Sequence, residues 1–309
     1  MHIPQKLGRV LVLGATGRIG TILRKSWPQD PIWRAPPDQV LWQTRQALAD
    51  PGPDWCVLDP LHQPEALARA AAGCSVILCL AGVVMGRADG GDLSANTTLA
   101  EAAIRAAVQT GQAAGPRVIL TSSAAVYGNQ TGVLDEAAPL APQNDYGRAK
   151  VAMERRGAAL GAQLGVPVTS LRIGNIAGID AILGGWRPGF RLDRFGDGST
   201  PRRSYIGLLT LARVLGDLVR ADHRADDLAE DFPAVLNVAT PGMVEMGALL
   251  DAAGLPWEAR PAPDTAIAEI CLSTLALERF TSLSDAESQA PEMVRQWRLL
   301  EPILRGDII

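Results

Sequence analysis

The 309-residue sequence predicts an α/β protein with a doubly wound parallel sheet and a smaller C-terminal part. Three observations support this prediction: strand-like and helix-like segments alternate through the first half, a glycine-rich turn follows the first strand, and the alternation stops after about residue 175. This βαβ rhythm is typical of a Rossmann-type domain. We expect that domain over residues 1–175 and a second part over 176–309, of which about 203–220 packs back on the first.

In the first half, strand candidates alternate with helix candidates. Residues 9–13 are a continuous apolar run, as in a strand that is buried on both faces. The following candidates, in order, are a helix at 19–26, strands at 39–43 and 55–58, a helix at 64–72, a strand at 75–80, an Ala-rich helix at 94–111, a strand at 117–122, a helix at 146–164 and a strand at 168–173.

Beyond residue 174 the pattern is less regular. Residues 184–200 are rich in Gly, Arg and Asp and predict loops. Helices are predicted at 206–220, 243–253, 268–280 and 284–300, and a short strand at 236–238, with Pro and Gly between them. We expect this part to cover the sheet edge, where ligands of such sheets bind.

Composition and charge restrict the class of protein. Hydrophobic residues make up 47% and charged residues 20% of the chain, as in a globular protein with a substantial core. The net charge is −4 and the arginines are scattered among acids, whereas a nucleic-acid surface needs clustered Lys and Arg. The longest apolar stretch is too short to span a membrane. We expect neither a nucleic-acid partner nor a membrane partner.

The cysteines and histidines lack the spacing of a metal site or a disulfide framework. None of the four cysteines belongs to a CxxC pair, and there are only three histidines. Free thiols are typical of a reducing compartment, and residues 1–7 have no apolar signal-peptide core. We therefore expect a cytoplasmic protein with no metal.

The turn after the first strand, Gly14-Ala-Thr-Gly17-Arg-Ile-Gly20, predicts a dinucleotide site. Glycines permit positive φ and let a pyrophosphate approach the backbone, while the amides of the following helix face the anion. The order strand, turn, helix is the context in which such a motif binds a dinucleotide. Arg18 is a candidate for a charged contact with a phosphate. The candidate cofactor-binding residues here are Gly14, Thr16, Gly17, Arg18, Ile19 and Gly20.

Further cofactor contacts are predicted at the ends of later strands. No acid ends the second strand to bind a ribose 2′-hydroxyl, so we expect Arg45 to bind a 2′-phosphate and the cofactor to be NADP rather than NAD. The alternative is that Arg45 is a solvated loop charge. Asp59 is a candidate for the adenine amino group or, alternatively, caps a turn. Ala81 and Gly82 are small where the backbone must pass close to the cofactor.

A candidate catalytic group combines Ser123, Tyr146 and Lys150. Tyr146 and Lys150 are four residues apart and share one helix face. The pKa of a free phenol is about 10. A neighbouring ammonium, together with an oxidised nicotinamide, lowers the pKa of the tyrosine, so that it can act as a general acid or base. Ser123 ends a strand and is expected to bind the substrate oxygen, while Lys150 also holds the ribose hydroxyls. The alternative is a Tyr and a Lys on the helix surface.

Together these segments resemble the extended short-chain dehydrogenase/reductases, the NAD(P)-dependent epimerase/dehydratase group. The resemblance is strong from about residue 10 to 178 and weaker to about 283. It implies that Ser123, Tyr146 and Lys150 are catalytic and that Asn96 helps to place the lysine. It also implies substrate contacts at Asn175 and Arg203, and a homodimer through the helices at 94–111 and 146–164.

Departures from the family pattern bear on the reaction. Ala124 and Ala125 stand where nucleotide-sugar dehydratases have an acidic pair, and Gly207 and Thr210 stand where His and Asp are frequent. The implied function is NAD(P)-dependent oxidoreductase or epimerase chemistry on a sugar-like or small carbonyl or alcohol substrate. The alternative is a non-catalytic NAD(P)-sensing or interaction protein on the same fold, although such proteins usually lose the Tyr or the Lys.

Overall fold

The computed structural model describes residues 8–29, 39–49, 51–84, 91–109, 115–221 and 232–306. The expectations for residues 1–7, for the helix end at 110–111 and for His2 and His223 lie outside these ranges. The strands are β1 (Arg9–Leu13), β2 (Val40–Thr44), β3 (Trp55–Val57), β4 (Cys74–Cys79), β5 (Arg117–Ser123), β6 (Val133–Leu134), β7 (Val168–Ile173), β8 (Asn175–Ile176), β9 (Arg191–Arg194), β10 (Arg202–Arg203), β11 (Tyr205–Ile206), β12 (Val235–Val238), β13 (Val244–Glu245), β14 (Glu258–Pro261) and β15 (Glu269–Leu272). The α-helices are α1 (Arg18–Ser26), α2 (Pro64–Ala71), α3 (Ala95–Val108), α4 (Asp145–Leu164), α5 (Leu208–Ala221), α6 (Met246–Ala253) and α7 (Ala290–Gly306).

A seven-stranded parallel sheet has the order β12-β7-β5-β4-β1-β2-β3. β1 lies between β2 and β4, and the strand order reverses at this point. In open α/β sheets such a switch point, at the carboxyl ends of the strands, is where ligands bind. The predicted doubly wound Rossmann sheet is confirmed.

Helices cover both faces of the sheet and form two hydrophobic cores. Val10 and Val12 of β1 face the core that includes α1, α5, α6 and α7, whereas Leu11 and Leu13 face the core of α2, α3 and α4. All four side chains are fully buried. An apolar run without polar alternation is therefore what this central strand requires.

The C-terminal part shares its core with the main sheet. β12 pairs with β7 at the sheet edge, and α5 packs against α1. The remaining strands form a four-stranded sheet, β13-β10-β15-β6, and two small pairs, β11-β8 and β14-β9. The domain boundary at residues 175 and 176 stays a prediction. Among the described residues, no helix has the length and apolarity needed to cross a membrane.

The helix predicted at 268–280 is wrong. Glu269–Leu272 forms β15, which pairs with β10 and β6, and a short 3-10 helix follows at Leu277–Arg279. Both partner strands are remote in sequence, so local periodicity does not reveal them, and tertiary pairing overrides the local pattern. The strand predicted at 39–43 and the helix predicted at 206–220 differ from β2 and α5 by one or two residues at an end, which is within the variation of element boundaries.

Candidate active site

The phosphate-binding turn joins β1 to α1. Gly14 has a φ of +82°, and a Cβ there would lie 2.7 Å from the Ala81 nitrogen. A Cβ at Gly20 would lie 2.5 Å from the Ala15 carbonyl oxygen. Close backbone approach therefore requires both glycines, while Gly17 is exposed at the start of α1.

The backbone amides at the start of α1 are available to an anion. The first helical hydrogen bond runs from the Thr21 amide to the Gly17 carbonyl, at 2.8 Å. The preceding amides, of Arg18, Ile19 and Gly20, therefore have no acceptor within the helix. Thr16 and Ile19 are half-buried beside them. This arrangement fits a pyrophosphate.

Gln43, at the end of β2, supports the turn, a role that the sequence patterns did not reveal. Its side chain is 2% exposed; Oε1 accepts from the Gly14 amide at 2.9 Å, and Nε2 donates to the Leu58 carbonyl at 2.7 Å. Its main-chain oxygen accepts from the Ala15 amide at 3.0 Å. The sequence signal for this role is a polar residue, Gln43, within the mainly apolar strand β2.

The predicted contacts beyond the turn lie along the same edge of the sheet. Arg45 is exposed just after β2. The Asp59 carboxylate accepts from the amides of Leu61, at 2.9 Å, and His62, at 3.4 Å, as a capping residue does. Burial raises the pKa of Asp59, but these hydrogen bonds and His62 outweigh it, so the pKa lies below its usual value. Its contact with adenine stays a prediction.

Lys150 is held beneath the candidate catalytic tyrosine. Its Nζ donates to the Thr121 carbonyl at 2.8 Å and to Asn96 Oδ1 at 3.1 Å, and it lies 5.7 Å from the centroid of the Tyr146 ring. A Cβ at Gly82 would lie 2.7 Å from that Asn96 oxygen, so glycine is needed there. Burial lowers the pKa of Lys150 to about 8.

Ser123 lies next to Tyr146. Its Oγ accepts from the Ala125 amide at 3.2 Å where a 3-10 helix, Ala124–Val126, begins. Burial raises the pKa of Tyr146, and the nearby Ser123 side chain and the charge of Arg18 oppose this rise. The net shift is upward, opposite to the lowering that the sequence predicted for the complex with Lys150 and an oxidised nicotinamide.

A buried polar network lies one helical turn beyond Lys150. Arg172 of β7 binds Glu154 of α4 at 2.8 Å and donates to the Tyr127 hydroxyl at 2.9 Å. Ser122 donates to Glu154 at 2.5 Å, so it faces away from Tyr146 while Ser123 faces towards it. Local sequence patterns do not predict this network, although an arginine within strand β7 is a signal for it.

The two predicted substrate contacts lie in the strands beyond β7. Asn175, half-buried in β8, pairs with Tyr205 of β11. Arg203 donates to the carbonyls of Arg202, at 2.8 Å, of Ala268, at 3.1 Å, and of Ile267, at 2.9 Å. Arg203 therefore anchors the segment before β15, and its contact with substrate stays a prediction.

A cavity of about 780 Å³ lies beside the phosphate-binding turn. It is a half-open cleft lined by Arg18, the segment 178–186, the end of α6 and α7, including Trp186 and Trp297. Arg18 reaches across to the Ile179 carbonyl at 3.1 Å. Cavities of this size accommodate small-molecule ligands.

The fold and this site define a Rossmann-type protein with a dinucleotide-binding turn at the switch point of its sheet. The family model "NAD dependent epimerase/dehydratase family" matches residues 10–182. The chain therefore belongs to the NAD-dependent epimerase/dehydratase family and is an enzyme of that NAD-dependent class.

Solved structures share the fold over nearly the whole chain. MoeE5, in complex with UDP-glucuronic acid and NAD, is 23% identical, with 94% of this chain and 99% of that chain covered and a TM-score of 0.69. DesIV, a dTDP-glucose 4,6-dehydratase from Streptomyces venezuelae with NAD and TYD bound, is 20% identical. The match covers 97% of this chain and 99% of that chain, with a TM-score of 0.68.

A UDP-glucose-4-epimerase from Stenotrophomonas maltophila, with bound NAD and formylated UDP-arabinopyranose, is 18% identical. The match covers 97% of this chain and 99% of that chain, with a TM-score of 0.70. At these identities the likeness shows the fold. No curated protein matches the sequence.

Proposed function

We propose that the protein is an NAD(P)-dependent epimerase or reductase that moves a hydride to or from a sugar-like substrate. Ser123, Tyr146 and Lys150 are its catalytic residues. The observation that best supports this proposal is the placement of the Lys150 ammonium, which the Thr121 carbonyl and Asn96 hold 5.7 Å from the centroid of the Tyr146 ring. Ser123 lies close enough to Tyr146 to oppose the rise in the pKa of that tyrosine.

The three side chains have separate roles in proton transfer. Because burial raises the pKa of Tyr146, its hydroxyl keeps its proton at neutral pH and can protonate the oxygen of a substrate carbonyl. Ser123 is a second hydrogen-bond donor to that oxygen. The Lys150 ammonium stabilises the phenolate that remains. The bound dinucleotide supplies the hydride acceptor or donor.

The residues after Ser123 favour epimerisation or reduction over dehydration. Elimination of water requires an acid and a base near the reacting carbons, whereas Ala124 and Ala125 present methyl groups in the 3-10 helix that follows β5. Hydride transfer and proton transfer at one alcohol carbon need only the Ser–Tyr–Lys group.

Sugar nucleotides are the first substrate class to test. The structures of MoeE5 and of the Stenotrophomonas epimerase contain UDP-linked sugars together with NAD. The cavity of about 780 Å³ beside Arg18 is not lined by Ser123, Tyr146 or Lys150, so the choice of this class rests on the ligands of those two structures. Simple sugar-like carbonyl compounds are the second class.

Arg45 supports NADP as the preferred cofactor. It is exposed immediately after β2, and the two preceding residues, Gln43 and Thr44, carry no acid to bind a ribose 2′-hydroxyl. The solved structures named above contain NAD, so the two nucleotides have to be compared directly.

We further propose a homodimer, formed by the exposed faces of α3 and α4 from two copies. The two helices pack against each other within one chain. Sedimentation of the purified protein tests this arrangement, and a monomer at micromolar concentration contradicts it.

The experiment that tests the function begins with freshly purified protein. One sample is denatured, and any released nicotinamide nucleotide is identified by mass spectrometry. A second, native sample is then tested for turnover of sugar nucleotides. A stoichiometric, retained NAD supports an epimerase, which returns its hydride. Reversible binding of added NADPH supports a reductase. A protein that neither retains nor binds a nicotinamide nucleotide contradicts the proposal.

A further inference from the structure

We propose that Gln43 is a positioning residue for the dinucleotide. Its side-chain amide holds the phosphate-binding turn and the segment after β3 at a fixed separation. The inference rests on the proposed dinucleotide function and adds a buried residue that acts through the backbone of the turn.

The amide of Gln43 joins two segments that are otherwise separate loops. Oε1 accepts from the Gly14 amide at 2.9 Å, and Nε2 donates to the Leu58 carbonyl at 2.7 Å. Because one partner is a donor and the other an acceptor, only one orientation of the amide satisfies both. With 2% of its surface exposed, the side chain cannot exchange these bonds for bonds to water.

At the turn, Gln43 determines which amides face the ligand. The amides of Gly14 and Ala15 both donate to it, one to the side chain and one to the main-chain oxygen. The first two amides of the turn are thereby directed towards β2. The amides at the start of α1 remain for the pyrophosphate.

At its other end, Gln43 fixes the residue before Asp59, the predicted adenine contact. Leu58 also donates its own amide to the Thr44 carbonyl at 3.0 Å, so its backbone is bound to β2 through both polar groups. The side chain of Gln43 is bonded to both segments, so it couples the predicted pyrophosphate and adenine contacts of one extended ligand.

The test compares Gln43→Met with Thr169→Val. The methionine has nearly the same shape and removes both side-chain bonds. Thr169 is also fully buried, and its Oγ1 donates to the Pro233 carbonyl at 2.8 Å at the start of β7, the opposite end of the sheet from the site. The Kd values for NAD⁺ and NADP⁺ are measured by calorimetry on folded protein, and thermal unfolding is followed in parallel.

We expect Gln43→Met to raise the Kd of the preferred nucleotide by tenfold or more, while Thr169→Val leaves it within twofold at a similar loss of thermal stability. Unchanged nucleotide affinity in a folded Gln43→Met variant overturns this inference and leaves the proposed function intact. So does an equal loss of affinity in both variants, because general destabilisation then explains it. Wild-type protein that binds neither nucleotide overturns the proposed function together with the inference.

A second variant, Gln43→Glu, decides the matter if the methionine variant does not fold. An ionised carboxylate accepts from Gly14 but cannot donate to Leu58, whereas a protonated carboxyl group can do both. We expect the Kd of this variant to fall towards the wild-type value as the pH is lowered, and the wild type to show no such fall. A pH-independent Kd equal to that of the wild type contradicts the inference.

Discussion

The arrangement around Tyr146, which we propose to be catalytic, depends on two partners remote in sequence. Lys150 is one helical turn away on α4, but Asn96 of α3 and the Thr121 carbonyl of β5 fix its position. The spacing of Tyr146 and Lys150 predicts a shared helix face. It does not predict that Asn96 and the Thr121 carbonyl hold the ammonium 5.7 Å from the centroid of the Tyr146 ring.

The first prediction concerns Tyr146→Phe. The substitution removes the proton donor and keeps the ring, so we expect turnover to fall by about 10²–10⁴-fold, with nucleotide affinity nearly unchanged. Turnover is followed by nicotinamide absorbance or product analysis, and affinity by calorimetry. Undiminished turnover in the variant would exclude Tyr146 as the acid or base.

A second prediction concerns the pH profile. Burial lowers the pKa of Lys150 to about 8, so the side chain is cationic below that pH and loses its charge as the pH rises through it. Without the cation the Tyr146 phenolate is less stable. We therefore expect kcat/KM for reduction to decline above about pH 8. In Lys150→Arg the cation persists, and the decline should move to higher pH; an identical decline in both proteins assigns it to another group.

The third prediction concerns Arg45→Ala. If Arg45 binds a 2′-phosphate, its loss raises the Kd of NADPH much more than that of NADH, because only NADPH carries that phosphate. Arg69→Ala, an exposed arginine of α2, makes the same change in net charge and is the control. Equal losses for the two nucleotides would leave Arg45 as a solvated charge.

Among the elements, α4 and β7 are joined by an ion pair that local patterns do not reveal. Glu154 and Arg172 are 6% and 4% exposed, and Arg172 also binds Tyr127. The pair fixes α4, which carries Tyr146 and Lys150, against the sheet. Both residues are buried, so they act on the proposed catalytic residues through the position of α4.

The fourth prediction therefore concerns Glu154→Gln. Removing one member of a buried pair leaves an uncompensated charge, so we expect the free energy of unfolding to fall by about 3–5 kcal/mol. Glu258→Gln serves as a control, because the Arg191–Glu258 pair is about two-thirds exposed and its loss should cost less than about 1 kcal/mol. Urea unfolding measures both, and equal losses would contradict this account.

The sequence predicted those elements whose pattern is local. β1, α1 and the glycine turn follow from an apolar run and from glycine spacing, and α4 follows from the alternation of strand-like and helix-like segments. β15 and the support that Gln43 gives the turn depend on partners between 15 and 140 residues away in the chain. No window of sequence contains both members of such a pair, so single-sequence patterns cannot identify them.

At the scale of the whole molecule, the two predicted parts share one hydrophobic core. Val10 of β1, Leu211 of α5, Leu236 of β12 and Trp297 of α7 belong to the same cluster. The family match covers residues 10–182, but α5, β12 and α7 complete the packing of its sheet. The predicted boundary between residues 175 and 176 therefore marks a change in the sequence pattern, whereas the hydrophobic core extends across it.

The fifth prediction follows from this shared core. We expect one cooperative unfolding transition, with tryptophan fluorescence and far-ultraviolet circular dichroism changing together, because Trp27 and Trp297 lie in the common cluster. The preferred nucleotide, at a free concentration of about 100 times its Kd, should stabilise the whole molecule by about 2.7 kcal/mol. Two separate transitions, of which the nucleotide shifts only the first, would mean that the C-terminal part unfolds independently of the sheet that it covers.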